Sequence, residues 1–196
     1  MSARPRPWLM PLLALATILF FGVGGALLIT EVQERSLQDV LVRGMGHRRQ
    51  AVAGLGIGLL MATLAWALIN TDRLHQVRVR YVDLLGPHVQ RRLDRWMVSL
   101  CAGVGEELFF RGALQHWLGI PLTAVLFVAI HGYLDPRDRG LLLYGGLLTL
   151  FMLGFGWMAE VWGLYAPMAA HALFDAVLLE RMAVQWLRRR DEGAGD

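Results

Sequence analysis

Apolar stretches long enough to cross a bilayer recur along this chain, and such stretches have very few ways to fold. Hydrocarbon offers no water to pair with backbone N–H and C=O groups, so a spanning segment must satisfy its own hydrogen bonds, as a helix does. The candidate segments are 8–30, 51–69, 96–118, 120–133, 140–157 and 164–187. With 56% of its 196 residues hydrophobic, the chain is too apolar for an ordinary soluble domain of its size. The expectation is an all-α, polytopic transmembrane helical bundle of about six membrane segments around a central polar cavity. Segment 120–133 falls short of the roughly 20 residues needed to cross hydrocarbon. It reads as a short helix buried among the others, with Pro121 in its first turn.

The polar residues support the same class. All 19 basic residues are arginines, and they cluster between the apolar segments. If the six segments return the chain to alternate sides, thirteen arginines share a side with the N-terminus and four, Arg35, Arg43, Arg48 and Arg49, lie on the other. The positive-inside rule then places both termini in the cytoplasm. No basic stripe with interleaved aromatics stands apart from these segments, so no nucleic-acid partner is expected. A single cysteine, Cys101, in an apolar helix reads as a small buried hydrophobe, and no intrachain disulfide is possible. The run from Trp8 to Ile29 follows Arg4 and Arg6 like a signal peptide, but it is too long and lacks a small-residue cleavage site, so it reads as a retained first span.

Gly54 and Gly58 have the GxxxG spacing that lets two membrane helices approach closely. Between 70 and 95 the chain is polar with a helical apolar beat at Leu74, Val77, Tyr81, Leu84 and Leu85, the pattern of a helix lying on the membrane surface. Gly86-Pro87 ends it. Most of the seven tryptophans fall near segment ends, where interfacial anchoring accounts for them.

Against this background Glu106 and Glu107 are costly. A carboxylate at mid-membrane costs about 2.5–3.5 kcal/mol on insertion scales and persists where it has partners or a cavity. Glu107 and Arg111 are four residues apart, so an ion pair along the helix is expected. Consecutive helical residues point about 100° apart, which leaves Glu106 the freer carboxylate. His131 ends the run Phe127-Val128-Ala129-Ile130, and His171 and Asp175 share one helix face. Polar groups on three apolar helices converge best on one cavity. There Glu106, His131 and His171 can bind a divalent metal, with zinc the expected ion, or hold a water directly. Either way the water is set to attack a carbonyl.

Glu106-Glu107-x-x-x-Arg111, Phe127-x-x-x-His131 and His171-x-x-x-Asp175 resemble, in order, the three motifs of the CPBP family of CAAX-protease and bacteriocin-processing membrane enzymes. Its members include the type II CAAX prenyl endopeptidases. The resemblance covers about 85 to 187. It implies that Glu106 is the general base, helped by His131, with His171 and Asp175 opposite, toward the oxyanion or a metal. Glu107 and Arg111 would be supporting residues, and Phe127 would set the height of His131. Prenyl endopeptidases typically have asparagine where Asp175 stands, and an ionised carboxylate repels an oxyanion. Asp175 is therefore protonated, a metal ligand or an orienter of His171.

Rival membrane proteases fit poorly: H-E-x-x-H is absent, and Ser2, Ser36 and Ser99 lack a G-x-S-x-G setting. The chain divides into two spans and an amphipathic linker (1–84), a catalytic core (85–187) and a polar tail (188–196). The expected function is an intramembrane endopeptidase of the bacterial inner membrane acting on a peptide or protein substrate within the lipid bilayer. The alternatives are a non-proteolytic scaffold or immunity protein of the same family, and, more remotely, a small proton-relay transporter.

Overall fold

The computed structural model describes residues 8–193, so Arg4 and Arg6 lie outside the described residues. The elements, in order, are α1 (Leu9–Val32), α2 (Leu37–Leu41), α3 (His47–Ile69), α4 (His75–Leu85), α5 (Arg92–Glu107), a π-helical stretch (Leu108–Leu114), α6 (Gln115–Ile130), α7 (Arg139–Val161) and α8 (Tyr165–Gly193). No strand occurs among the described residues. The protein is a helical membrane bundle. Its outer surface is apolar, as lipid requires: Phe20 is 69% exposed and Leu150 63%.

Four helices among the described residues are long and apolar enough to cross a membrane: Leu9–Val32, His47–Ile69, Arg92–Ile130 and Arg139–Val161. All six expected segments are helical, but two differ in kind from plain spans. The third and fourth form one run, broken at Gly119, whose φ of 70° only glycine adopts readily. Gln115 Nε2 donates to Gly156 O, and Ile120 lies against the same glycine, whereas His131 comes back to the depth of Glu106. The chain therefore rises to Gly119 and returns. From Ile120 to Ile130 a helix is only about 16 Å long, half a bilayer core. The last segment, α8, carries His171, Asp175, Glu180 and Arg181, and packs inside the bundle against α3 and α5.

Glycines set the closest approaches. A Cβ on Gly54 would lie 2.2 Å from Ala166 O, and one on Gly58 2.3 Å from Ala170 O, so the GxxxG face of α3 is the one laid on α8. Gly56 has open space beside it. Gly58→Leu should therefore destabilise the bundle by about 1–3 kcal/mol, the usual cost of overpacking, and Gly56→Leu should not. Denaturant unfolding in detergent checks the contrast.

The first and last described helical turns lie at one end of the bundle. Met10 packs with Val89 and Ala183, Asp83 pairs with Arg189 at 2.9 Å, and Gly140 sits against Leu74 and Val77. The opposite end is tied by Arg43–Glu160 at 2.6 Å and by the Leu164 N–H donating to Val40 O. The surface helix ends at Leu85, before Gly86-Pro87, and buries Leu74, Val77 and Val82. Leu84, expected on its buried face, is 60% exposed, whereas Val82, outside the expected set, is buried.

Candidate active site

Each carboxylate of the Glu106-Glu107 pair has a different environment because the two leave α5 in different directions. Glu107 points into the packed interior, and its side chain and that of Arg111 are wholly buried. Arg111 Nη1 donates to Glu107 Oε1 at 3.0 Å, the expected i to i+4 pair. The same oxygen accepts from His171 Nδ1 at 2.9 Å. Because an ionised carboxylate only accepts, this contact puts the proton on Nδ1. The Arg111 guanidinium stacks 4.5 Å over the Phe127 ring, and its Nη2 contacts Met152 Sδ at 2.8 Å.

Glu106 faces a cavity of about 280 Å³. Its Oε2 lies 3.7 Å from His131 Nε2 and 4.0 Å from His171 Nε2. These distances exceed direct hydrogen bonds and leave room for a bridging water. His131 ends α6, and its Nδ1 is 2.7 Å from Phe127 O. A carbonyl only accepts, so Nδ1 carries the proton here too, and Nε2 is presented to the cavity. The Phe127 ring lies 4.4 Å from the His131 ring, centroid to centroid, and holds it between carbonyl and ring face. The His131 side chain is 36% exposed, against 6% for His171, so His131 sits on the open side.

Asp175 Oδ2 lies 3.5 Å from His171 Nε2, one helical turn along α8. Thus His171 has Glu107 on one nitrogen, and Glu106 and Asp175 on the other. All six residues singled out in sequence meet at this cavity or directly behind it. Glu107 also orients His171, a contact between residues 64 apart in sequence that local spacing could not reveal. Among the described residues no group of three His, Cys, Asp or Glu side chains is arranged to hold a metal ion. Glu106 Oε2 faces both imidazole Nε2 atoms, so Glu106, His131 and His171 are the side chains that would hold a divalent ion.

Several contributors were not legible in sequence. Tyr133 and Tyr144 line the cavity with Asp175, and Tyr81 stacks on Tyr133 at 5.4 Å. Burial raises the Tyr81 phenol above its ordinary value, so this hydroxyl keeps its proton. The Tyr144 hydroxyl has no hydrogen-bond partner among the described residues, although the residue is only 3% exposed. The π-helical stretch leaves carbonyls without their usual donors, and residues after α1 supply them: Gln33 Nε2 to Ala113 O at 2.9 Å, and Arg35 Nη1 to Gly112 O at 3.0 Å. Single π-turns of this kind often occur at functional sites.

Comparison with known proteins places this constellation. Residues 90–177 match the family model described as type II CAAX prenyl endopeptidase, Rce1-like. An uncharacterized protein of Bacillus subtilis (strain 168), YpbD, is 32% identical over 92 residues, which cover 47% of each chain. The matched stretch thus spans about half the length of that curated relative. No solved structure matches. The matched residues run from just before α5 into α8 and hold Glu106, Glu107, Arg111, His131, His171 and Asp175. The core half of this integral membrane protein, residues 90–177, is an Rce1-like segment similar to the type II CAAX prenyl endopeptidases.

Proposed function

We propose that this chain is an intramembrane endopeptidase in which Glu106 activates a water for attack on a peptide carbonyl. The observation that carries the reading is the position of Glu106: a carboxylate on a cavity wall, with two imidazole Nε2 atoms within 4.0 Å of one of its oxygens. In this scheme a water held between Glu106 and His131 gives a proton to Glu106 as its oxygen bonds to the carbonyl carbon. His171, fixed by Glu107 through Nδ1, brings Nε2 to the same spot and helps pass the proton to the leaving nitrogen as the C–N bond breaks. The Glu107–Arg111 pair keeps His171 in this orientation throughout.

The developing oxyanion needs a donor that a carboxylate at 175 does not provide. Tyr144 supplies a neutral hydroxyl on the same cavity wall, and Asp175 then serves His171 rather than the oxyanion. Tyr144→Phe should lower kcat about 10²-fold, the scale of one lost oxyanion donor, and leave KM nearly unchanged. Steady-state kinetics on a cleaved peptide measure both.

The substrate is an apolar or lipid-attached peptide, because Phe174, Leu178 and Met182 continue the cavity from Asp175 toward the arginine-rich end. In this reading that end faces the cytoplasm of a bacterial inner membrane, with both termini on that side, which the excess of arginines there supports. Glu106 acts on the water directly in this scheme; Glu106, His131 and His171 are the residues that would hold a divalent ion, which would supply Lewis-acid activation of the same water.

The test uses purified full-length protein in nanodiscs, a quenched peptide library, and metal quantified on the same samples. Cleavage without bound metal supports the water scheme as written. Cleavage that tracks one equivalent of zinc replaces it with a metal-assisted one. No cleavage, together with rescue of a deletion phenotype by a Glu106→Ala/His131→Ala double variant, makes the protein a binding scaffold.

A further inference from the structure

A second groove, of about 430 Å³, lies on the lipid-facing side of the bundle, away from the Glu106 cavity. It runs along α8 between α3 and α5. At its deep end the walls are Leu59, Leu173 and Val177; at the arginine-rich end they are Arg92, Trp96 and Arg181. The groove is thus apolar toward mid-membrane and cationic toward the surface. From Leu173 to Val184 it follows twelve residues of helix, a rise of about 16 Å, which is close to one leaflet of a hydrocarbon core about 30 Å thick.

Two of its charges are not spent on the protein. Arg95, only 5% exposed, is held by the protein: Nη2 pairs with Glu180 Oε2 at 2.7 Å, and Nη1 donates to the carbonyls of Val89 and Gln90. That pair neutralises the one carboxylate in the groove. Arg92 and Arg181 then remain as exposed guanidiniums with no ion-pair or hydrogen-bond partner among the described residues. Trp96, half exposed beside them, has the amphipathic ring that settles at headgroup level.

We propose that this groove binds one anionic phospholipid of the leaflet on the arginine-rich side. Its phosphate lies between Arg92 and Arg181, and its acyl chains lie along Leu59, Leu173 and Val177. The gradient from apolar to cationic over one leaflet length matches the shape and polarity of a lipid and of little else. Two unpaired guanidiniums favour an anionic headgroup over a zwitterionic one, as basic pockets between membrane helices do. The occupant would wedge α3 and α5 onto α8, the helix that carries His171 and Asp175.

The test is retained lipid, which does not depend on what the Glu106 cavity does. Full-length protein is reconstituted in phosphatidylcholine nanodiscs with or without phosphatidylglycerol, extracted into mild detergent, and weighed by native mass spectrometry. The wild type should keep one phosphatidylglycerol in preference to phosphatidylcholine. The Arg92→Ala/Arg181→Ala variant should bind it at least about tenfold more weakly. Because neither arginine has a partner to lose, the variant should unfold at the wild-type temperature in lipid-free detergent. Arg73→Ala/Arg80→Ala, two exposed arginines at the same end, should retain lipid like the wild type. Equal retention by the Arg92/Arg181 variant, equal loss in the Arg73/Arg80 control, or no preference for the anionic lipid overturns the proposal.

Discussion

Glu106→Gln should lower kcat/KM for peptide cleavage by about a thousandfold, within the 10²–10⁴ range of a lost general base, and leave the unfolding transition close to that of the wild type. Both halves follow from where the side chain sits. The glutamine keeps the volume and one acceptor oxygen, so packing and any bridging water survive. It cannot take a proton at neutral pH, so the water is no longer activated. Among the described residues no donor holds Glu106 closer than the 3.7 Å to His131 Nε2, so little of the fold depends on its charge. A well-folded Glu106→Gln protein that cleaves at the wild-type rate would remove Glu106 from the chemistry.

The adjacent residue should give the opposite result. Glu107→Ala leaves Arg111 buried without its ion-pair partner and frees His171 Nδ1, the two groups that share Oε1. Breaking a buried ion pair by removing one partner costs about 3–5 kcal/mol, a large part of the total stability of a domain. The protein should lose its folded transition or melt far below the wild type, with cleavage lost as a consequence. Glu107→Gln separates the two roles. It retains an acceptor for both Arg111 and His171, so it should fold better than the alanine variant, and its cleavage should still fall because His171 has lost the charge that orients it. If Glu107→Ala unfolds at the wild-type midpoint, the Arg111–Glu107–His171 chain does not hold the site. Two neighbouring carboxylates should thus fail in different ways, one in chemistry and one in structure.

The six candidate residues were legible because ionisable groups are rare in apolar helices, and each stands out against its neighbours. The i to i+4 spacing of Glu107 and Arg111 gave their pairing directly, since that contact is local to one helix. Tyr144 did not stand out, because a tyrosine in a membrane helix is ordinary. Its place on the cavity wall depends on how α7 meets α8. Gln33 and Arg35 were invisible for a similar reason. Their partners are carbonyls freed by a π-helical stretch some 80 residues away, and sequence does not announce a π-turn. Arg92 and Arg181 each read as a routine flanking arginine until packing placed them on one groove.

The sequence by itself determined that this is an all-helical membrane protein, which segments are apolar, and which residues bear charge inside them. Those properties follow from composition and helical period alone, because a bilayer penalises polar groups wherever they fall. The tertiary structure decided what the charges do. It turned the chain back at Gly119, which returns His131 to the depth of Glu106, and it set His171 against Glu107 rather than leaving it free. These are contacts between distant segments, and their free energy belongs to the packed bundle rather than to any helix within it.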